Sequence, residues 1–171
     1  MTTHQLFLID GLYLLALVLV AFFTRATARR IAGALVGGVV VGVVALGADA
    51  LGERSGWWRM ALWRPDILPL VCVGFVVSLA PIYLATWRVA RRFGWRGLAV
   101  VVALMTVIGP PRDYAYMARF PEWGSYARGV VPVLAIAALY AMMVPIGHAL
   151  MWLVAGPART DRLARRPWES D

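Results

Sequence analysis

Five apolar runs, separated by short polar segments rich in arginine, constrain this chain more than any other feature. A helix that crosses a bilayer needs about 20 apolar residues to cover a hydrocarbon core about 30 Å thick. The runs cover residues 6–23, 31–51, 67–87, 95–109 and 130–155. In lipid every backbone N–H and C=O group must be paired internally, which favours helices. The sequence therefore predicts an all-α integral membrane protein, with a single bundle of five transmembrane helices over residues 1–155.

The composition agrees with a membrane environment. The chain is 61% hydrophobic with a mean hydropathy of +0.72, whereas soluble domains contain about 45–50% apolar residues. A net charge of +8 would also suit a nucleic-acid-binding protein. However, the arginines flank the apolar runs and form no stripe on a soluble face. We therefore expect membrane lipids, with anionic headgroups, as partners and no nucleic acid.

The basic residues, which are all arginine, give the predicted bundle an orientation. Residues 24–30, 88–96 and the basic tail 156–171 hold 3, 4 and 4 arginines, and the loops 52–66 and 109–129 hold 3 each. Basic residues collect in cytoplasmic loops. The pattern predicts an N-terminus outside and a cytoplasmic C-terminus. Exclusive arginine with abundant Ala, Gly and Val is associated with GC-rich bacterial genomes, which favours a bacterial inner membrane.

The fourth run, 95–109, is the shortest, and it stops at Gly109-Pro110-Pro111. It covers only about 20 Å of the hydrocarbon core. Local thinning of the bilayer or burial among other helices would accommodate it. A re-entrant segment is the alternative, which would leave four spans and both termini on the same side. The arginine distribution favours five spans.

Small residues recur on one face of the second run. Glycines four residues apart allow two helix backbones to approach closely, which matters in lipid because it provides no hydrophobic drive for association. The glycines concerned are Gly33, Gly37, Gly38 and Gly42. We interpret them as an intramolecular seam against the first or third helix. The alternatives are a homo-oligomer contact and a groove for a flat lipidic ligand.

The two loops predicted outside are rich in aromatic residues. One loop contains three tryptophans and the other a mixture of Trp, Tyr and Phe: Trp57, Trp58, Trp63, Tyr114, Tyr116, Phe120, Trp123 and Tyr126. Trp and Tyr prefer the headgroup level of a bilayer. Membrane anchoring is the first interpretation, and a shallow aromatic mouth for an apolar substrate is the second.

Acidic residues inside a predicted span are candidates for function because they are costly in lipid. Asp49 and Glu53 lie four residues apart near the outer end of the second helix, so they share a helix face. Like charges at that spacing repel unless they share a proton, bind a cation or meet an arginine. We therefore take Asp49 and Glu53 as the candidate catalytic acid–base pair. The rest of the polar cluster at the outer face comprises Asp10, Arg54, Arg59, Asp66, Arg112, Asp113 and Glu122.

Three explanations of this cluster remain open. The first is a network of acids and arginines that ties the outer loops to the helix ends. The second is an acid pair that supplies a proton to an apolar substrate, and the third is the mouth of a cation or proton pathway. His148 is the only histidine in a span and lies toward the cytoplasmic side. Zinc-ligand spacing, a phosphate-binding loop and a nucleophile elbow are absent from the sequence, so we expect no cofactor and no metal.

One short segment resembles a known group of proteins. Glu53 followed by Gly56-Trp57-Trp58-Arg59, after a Gly/Ala-rich span, resembles small membrane proteins of carotenoid metabolism, of the lycopene-cyclase and carotenoid-hydratase types. The resemblance implies a lipidic substrate and assigns no residue a role.

Taken together, these patterns favour a non-catalytic accessory or self-associating subunit of a membrane assembly, because the chain has an odd number of runs and no internal repeat of the transporter kind. An enzyme that acts on an isoprenoid or other lipid at the outer leaflet is the alternative. A small transporter or channel is the third hypothesis.

Overall fold

The computed structural model describes residues 2–157, so most of the basic tail predicted for residues 156–171 lies outside the described part. Four α-helices are present there: α1 (Thr3–Thr24), α2 (Ala28–Arg54), α3 (Leu68–Arg119) and α4 (Val130–Ala155). A short strand, β1 (Trp58–Met60), follows α2. A second short strand, β2 (Gly124–Tyr126), follows a 3-10 turn at Pro121–Trp123. All four helices are long and apolar enough to cross a membrane. The described chain is a helical membrane bundle with a small ribbon.

Helix α3 is interrupted at Gly94, inside the arginine-rich segment that separates the third and fourth runs of the sequence. Its φ of 65° and ψ of −152° are non-helical, and glycine adopts a positive φ at little cost because it has no Cβ. The break divides α3 into a first arm, residues 68–93, and a second arm, residues 95–119. The separation of these two runs, predicted from the arginines, therefore coincides with a break in the helix.

The second arm of α3 is longer than the fourth run of the sequence. It continues through Gly109, Pro110 and Pro111 to Arg119, whereas the sequence predicts an end at residue 109. Prolines are tolerated in membrane helices because neighbouring helices and local adjustments satisfy the freed carbonyl groups. Here α4 packs closely on this point, with the Tyr140 ring against Gly109.

Helix α2 contacts α4 through two of its glycines. A Cβ added at Gly33 would lie 3.1 Å from the carbonyl oxygen of Met151, and one added at Gly37 would lie 2.9 Å from that of Gly147. Such distances mean that the two backbones touch. The sequence predicts a seam against the first or third helix, and these two glycines face the C-terminal helix instead.

The other two glycines of the predicted seam face α3. A Cβ at Gly38 would lie 2.9 Å from the carbonyl oxygen of Val76, and one at Gly42 would lie 3.3 Å from Cβ of Phe75. All four glycines are buried. Helix α1 packs mainly along α3 and lies outside this seam. The glycine face of α2 is therefore inside the molecule.

A buried arginine joins the helix ends at one end of the bundle, here called the Arg30 end. Arg30 is only 1% exposed. Its Nη2 donates to the carbonyl oxygens of Ala155 and Gly156, at 3.3 and 3.0 Å, and its guanidinium lies 5.1 Å from the Trp87 ring centre. A cation at a helix C-terminus meets unpaired carbonyl groups and the negative end of the helix dipole. Arg30 thus fastens the start of α2 to the end of α4.

A two-stranded ribbon closes the opposite end, here called the Asp49 end. Strands β1 and β2 are antiparallel, with Trp58 opposite Tyr126 and Met60 opposite Gly124. They link the α2–α3 connection to the α3–α4 connection. Leu6 packs at the base of this region with buried Ile67, so the start of α1 lies there too.

We expect Gly37→Ala to lower the free energy of unfolding by about 1–3 kcal/mol, because the added methyl group meets backbone that cannot move aside. The matched control is Gly47→Ala on the same helix, where nothing lies within 4 Å of the added Cβ. Because alanine favours the helix over glycine, the control should be neutral or stabilising. Equilibrium unfolding in mixed detergent micelles measures both variants. Equal stability of the two would contradict the packing described above.

Replacing Arg30 by methionine should lower the free energy of unfolding by about 2–3 kcal/mol, because two carbonyl groups lose a charged donor. The neighbouring Arg29 is exposed, and its Nε donates to the carbonyl oxygen of Val154 at 2.9 Å. Arg29→Met should therefore cost less than about 1 kcal/mol. The same unfolding titration compares the two, and a larger loss for Arg29→Met would refute the role assigned to Arg30.

Candidate functional site

A cavity of about 320 Å³ lies at the Asp49 end, and it is partly open. Residues of all four helices and of both strands line it. Its volume falls within the range of small-molecule binding sites, about 300–1,000 Å³. Several of the polar residues predicted from the sequence line it.

The apolar part of the cavity wall is rich in methionine. Of the chain's 7 methionines, those that line the cavity are Met60, Met105, Met117 and Met143. Leucine, isoleucine and phenylalanine side chains from α3 and α4 complete this wall. Because the methionine side chain is flexible and polarizable, it adapts to irregular apolar shapes. The wall suits an apolar occupant and does not require one rigid outline.

Aromatic rings form the rest of the wall, and several come from the loops that the sequence singles out. The rings that line the cavity are Tyr13, Trp58, Phe75, Tyr116, Trp123, Tyr126 and Tyr140. The Trp58 and Tyr126 rings meet across the ribbon with centroids 6.0 Å apart, and those of Tyr116 and Trp123 are 5.4 Å apart. The ribbon therefore brings two aromatic loops together at one cavity.

Arg112, Asp113 and Tyr140 form a hydrogen-bonded network at the cavity. The Arg112 Nη2 donates to Oδ1 of Asp113 at 2.7 Å and to the Tyr140 hydroxyl at 2.6 Å. The Tyr140 hydroxyl lies 3.1 and 3.0 Å from the two carboxylate oxygens of Asp113, to which it donates. Charge-assisted bonds of this kind are roughly twice as strong as neutral ones. The Asp113 carboxylate is consequently paired and held in place.

Asp49 differs from Asp113 because its carboxyl group has no partner. It lines the cavity from the last turns of α2, and among residues 2–157 it makes no side-chain hydrogen bond or ion pair. Only its backbone takes part in a side-chain contact, as the carbonyl oxygen accepts from the Trp58 Nε1 at 3.2 Å. A carboxylate facing apolar groups needs a proton, a hydrogen-bond donor or a counter-charge. Asp49 is therefore the charged group of the cavity that is available to an occupant.

Glu53, the other half of the predicted catalytic pair, does not line the cavity. Its Oε1 accepts a hydrogen bond from the backbone N–H of Met60 at 2.9 Å, because β1 folds back over the end of α2. The structure brings Asp113, and not Glu53, into the cavity with Asp49. Glu53 thus serves as a hydrogen-bond acceptor for the backbone of the ribbon.

The remaining members of the predicted polar cluster lie apart from the cavity. Asp66 forms an exposed ion pair with Arg64 at 2.6 Å. The side chain of Asp10 on α1 lies against Gly74 of α3, and its Oδ2 is buried without a hydrogen-bond partner in the described chain. The exposed residues Arg54, Arg59 and Glu122 do not contact the cavity. Of the predicted residues, the structure gathers Asp49, Arg112 and Asp113.

Tyr140 was not identified from the sequence, although it completes the network with Arg112 and Asp113. It lies inside an apolar run, where no charge marks it. The one available signal is that a buried tyrosine hydroxyl normally finds a hydrogen-bond partner. That signal indicates that a polar partner exists, but it does not say which one.

Tyr126 on β2 also borders the acidic groups. Burial raises the pKa of Tyr126, and the Asp113 and Asp49 carboxylates raise it further. The phenol therefore stays protonated across the physiological range of pH. Its hydroxyl can serve as a hydrogen-bond donor in the cavity, and it adds no negative charge.

His148 lies in α4 away from the cavity, where its Nδ1 is 3.3 Å from the Thr86 hydroxyl. In the part of the chain that the structure describes, no group of three or more His, Cys, Asp or Glu side chains is placed to hold a metal ion.

Comparison with known proteins adds no further constraint. The segment from Glu53 to Arg59, which resembles proteins of carotenoid metabolism, forms the end of α2 and the start of the ribbon. No protein-family model, curated protein or solved structure matches the chain.

Proposed function

We propose that this protein spans the membrane five times and binds a lipid-soluble molecule in the cavity at its Asp49 end. The observation that carries the proposal is the combination of a wall of methionine and aromatic side chains with one unpaired carboxyl group. Apolar pockets with few, convergent polar groups are typical of small-molecule sites. The polar group sets the orientation of the occupant, and the apolar wall supplies most of the contact area.

The contacts of α3 support five spans. Its first arm begins beside Leu6 at the Asp49 end and reaches Trp87, which lies against Arg30. The second arm ends with Asp113 in the cavity at the Asp49 end. The two arms thus run in opposite directions between the ends of the bundle. With five spans, the N-terminus lies outside and the C-terminus in the cytoplasm.

The Arg30 end is suited to the cytoplasmic face of a bacterial inner membrane. Exposed aromatic residues flank the Gly94 break, with Phe93 59% and Trp95 75% exposed. Arginine guanidinium groups lie over both rings, Arg92 at 5.3 Å from that of Phe93 and Arg96 at 5.9 Å from that of Trp95. Aromatic rings favour the headgroup level and arginines favour anionic lipid. Anionic headgroups are the proposed partners here.

Ligand binding is preferred over the accessory or self-associating role that the sequence favours. A homo-oligomer contact was one alternative for the glycine face of α2, but Gly33, Gly37, Gly38 and Gly42 all contact helices of the same chain. The face is therefore not free for a second copy. Association with other membrane subunits stays a prediction.

Catalysis on an isoprenoid or other lipid is the second candidate function. The unpaired carboxyl group of Asp49 favours it, because such a group can exchange a proton with an occupant. Asp113 would then be the second acid of the site in place of Glu53. Since a substrate must first enter the cavity, the labelling experiment below tests a requirement of both candidates.

Cysteine labelling tests the five spans and their orientation. In a Cys72→Ala background, Ser125→Cys on the exposed edge of the ribbon should react with a membrane-impermeant maleimide in spheroplasts. Trp95→Cys, beside the Gly94 break, should react only after permeabilisation. Reversed labelling would refute the orientation. Equal labelling of both sites from one side would refute five spans.

Photolabelling tests occupation of the cavity. A dodecanol derivative that carries a diazirine should, in uncharged maltoside micelles, label Met105 or Met143, with each site located to the residue by fragment-ion sequencing, because both line the cavity. Ser78 also lines it, and Ser78→Phe should remove most of this label by filling the space. The control Ser125→Phe, on an exposed residue outside the cavity, should keep it.

Lipid-facing positions provide an internal standard for this experiment, since Val107 is exposed and lies outside the cavity. Its labelling should be the same in all variants. If the probe labels only such positions, or if Ser78→Phe leaves the cavity label unchanged, the proposed binding site is wrong.

A further inference from the structure

One of the acidic groups that line the cavity lacks a compensating positive charge. Three charged residues line it, Asp49, Arg112 and Asp113. Arg112 and Asp113 form an ion pair at 2.7 Å, which neutralises both. The carboxylate of Asp49 remains, and it has no partner in the described chain. The cavity therefore has a net charge of −1 when Asp49 is ionised.

Within residues 2–157, Arg112 is the one arginine that lines the cavity. Glu53, one helical turn beyond Asp49 on α2, is also acidic and supplies no positive charge. Arg54 and Arg59 follow Asp49 closely in sequence but are exposed and do not line the cavity. Because Arg112 is already paired with Asp113, the negative charge of an ionised Asp49 stays uncompensated, and a positive occupant would be attracted to it.

The aromatic wall adds a second preference for positive charge. The faces of Trp and Tyr rings attract a cation that lies within about 6 Å of the ring centre. The cavity already contains one such contact, because the Arg112 guanidinium lies 5.6 Å from the Tyr140 ring centre. Trp58, Tyr116 and Tyr126 present further rings around the same space. Rings with a nearby carboxylate form the usual environment of a bound organic ammonium group.

The remainder of the wall fits an apolar body. Met105, Leu139 and Met143 line the cavity without offering a polar side chain. An inorganic cation would leave this surface uncovered and would have only one unpaired carboxylate as a ligand, whereas hard cations such as calcium take six or more oxygens. An occupant that combines positive charge with an apolar part would match both the Asp49 carboxylate and this wall.

We infer that the occupant is a lipophilic ammonium compound, whose cationic group lies between the Asp49 carboxylate and the aromatic rings and whose apolar part lies against the methionines. This inference rests on the proposed ligand-binding function and specifies its ligand class. A neutral lipid would satisfy the apolar wall but leave the Asp49 carboxylate without a counter-charge.

Two matched photoprobes test the inference. One is the neutral dodecanol diazirine, and the other carries a trimethylammonium group in place of the hydroxyl on the same chain. In uncharged maltoside micelles the cationic probe should label the Met143 side chain, located to the residue, at about tenfold lower concentration, because it gains an ion pair and cation–π contacts. The label at lipid-facing Val107 corrects for partition into the micelle.

Variants then assign the preference to Asp49. Asp49→Asn should bring the cationic probe to the level of the neutral one, and its labelling by the neutral probe shows that the variant is folded. Asp66→Asn removes a carboxylate outside the cavity, so it should retain the tenfold preference. Asp49→Glu, which keeps the charge, should retain part of it.

The outcomes separate the two proposals. Equal labelling of the wild-type cavity by both probes would overturn the ammonium assignment and leave the binding site intact. If neither probe labels the cavity, both the binding site and the ammonium assignment are wrong. A preference that survives Asp49→Asn would also contradict the assignment. Because the wild-type comparison needs no variant, a folding defect in Asp49→Asn does not prevent the test.

Discussion

The close approach of α2, α3 and α4 around Gly37 and Gly147 is the contact on which the rest of the structure depends. A Cβ at Gly37 would lie 2.9 Å from the Gly147 carbonyl oxygen, and the Tyr83 ring lies over Gly147. Lipid does not drive helices together, so close backbone contact has to supply the attraction. The Tyr83 hydroxyl also donates to the carbonyl oxygen of Met143 at 3.3 Å, and Met143 lines the cavity. The junction therefore fixes one wall of the candidate site.

The helices could be predicted from the sequence because the bilayer leaves an apolar run few alternatives. The break at Gly94 lies among the arginines that mark a turn between the third and fourth runs. The end of the second arm was harder to predict from the sequence. Pro110 and Pro111 would stop a helix in water, but they are tolerated in a membrane helix whose neighbours satisfy its backbone groups. The partners of the α2 glycines also depend on how the helices assemble. A periodic glycine pattern indicates close contact without naming the helix that makes it.

Only part of the candidate site could be predicted from the sequence. Asp49 stands out because an acidic residue inside a span is rare. The spacing of Asp49 and Glu53 places both on one helix face, but it carries no information about β1, whose Met60 amide binds Glu53. Tyr140 and Asp113 are 27 residues apart, and their hydrogen bond requires the packing of α3 on α4. Contacts between helices, rather than contacts within one, decided which polar residues meet.

Arg30 and Asp49 lie on the same helix near opposite ends, and their environments distinguish a structural charge from an available one. The Arg30 guanidinium donates to two carbonyl groups at the end of α4 and lies against Trp87, so the protein itself supplies its partners. Asp49 faces a cavity, and the basic residue nearest to it there, Arg112, already pairs with Asp113. A partly buried charge that lacks a partner in its own chain is destabilising unless something else supplies one. A positive ligand at the Asp49 end would therefore compensate the charge of Asp49, as the carbonyl groups at the end of α4 and the Trp87 ring compensate that of Arg30.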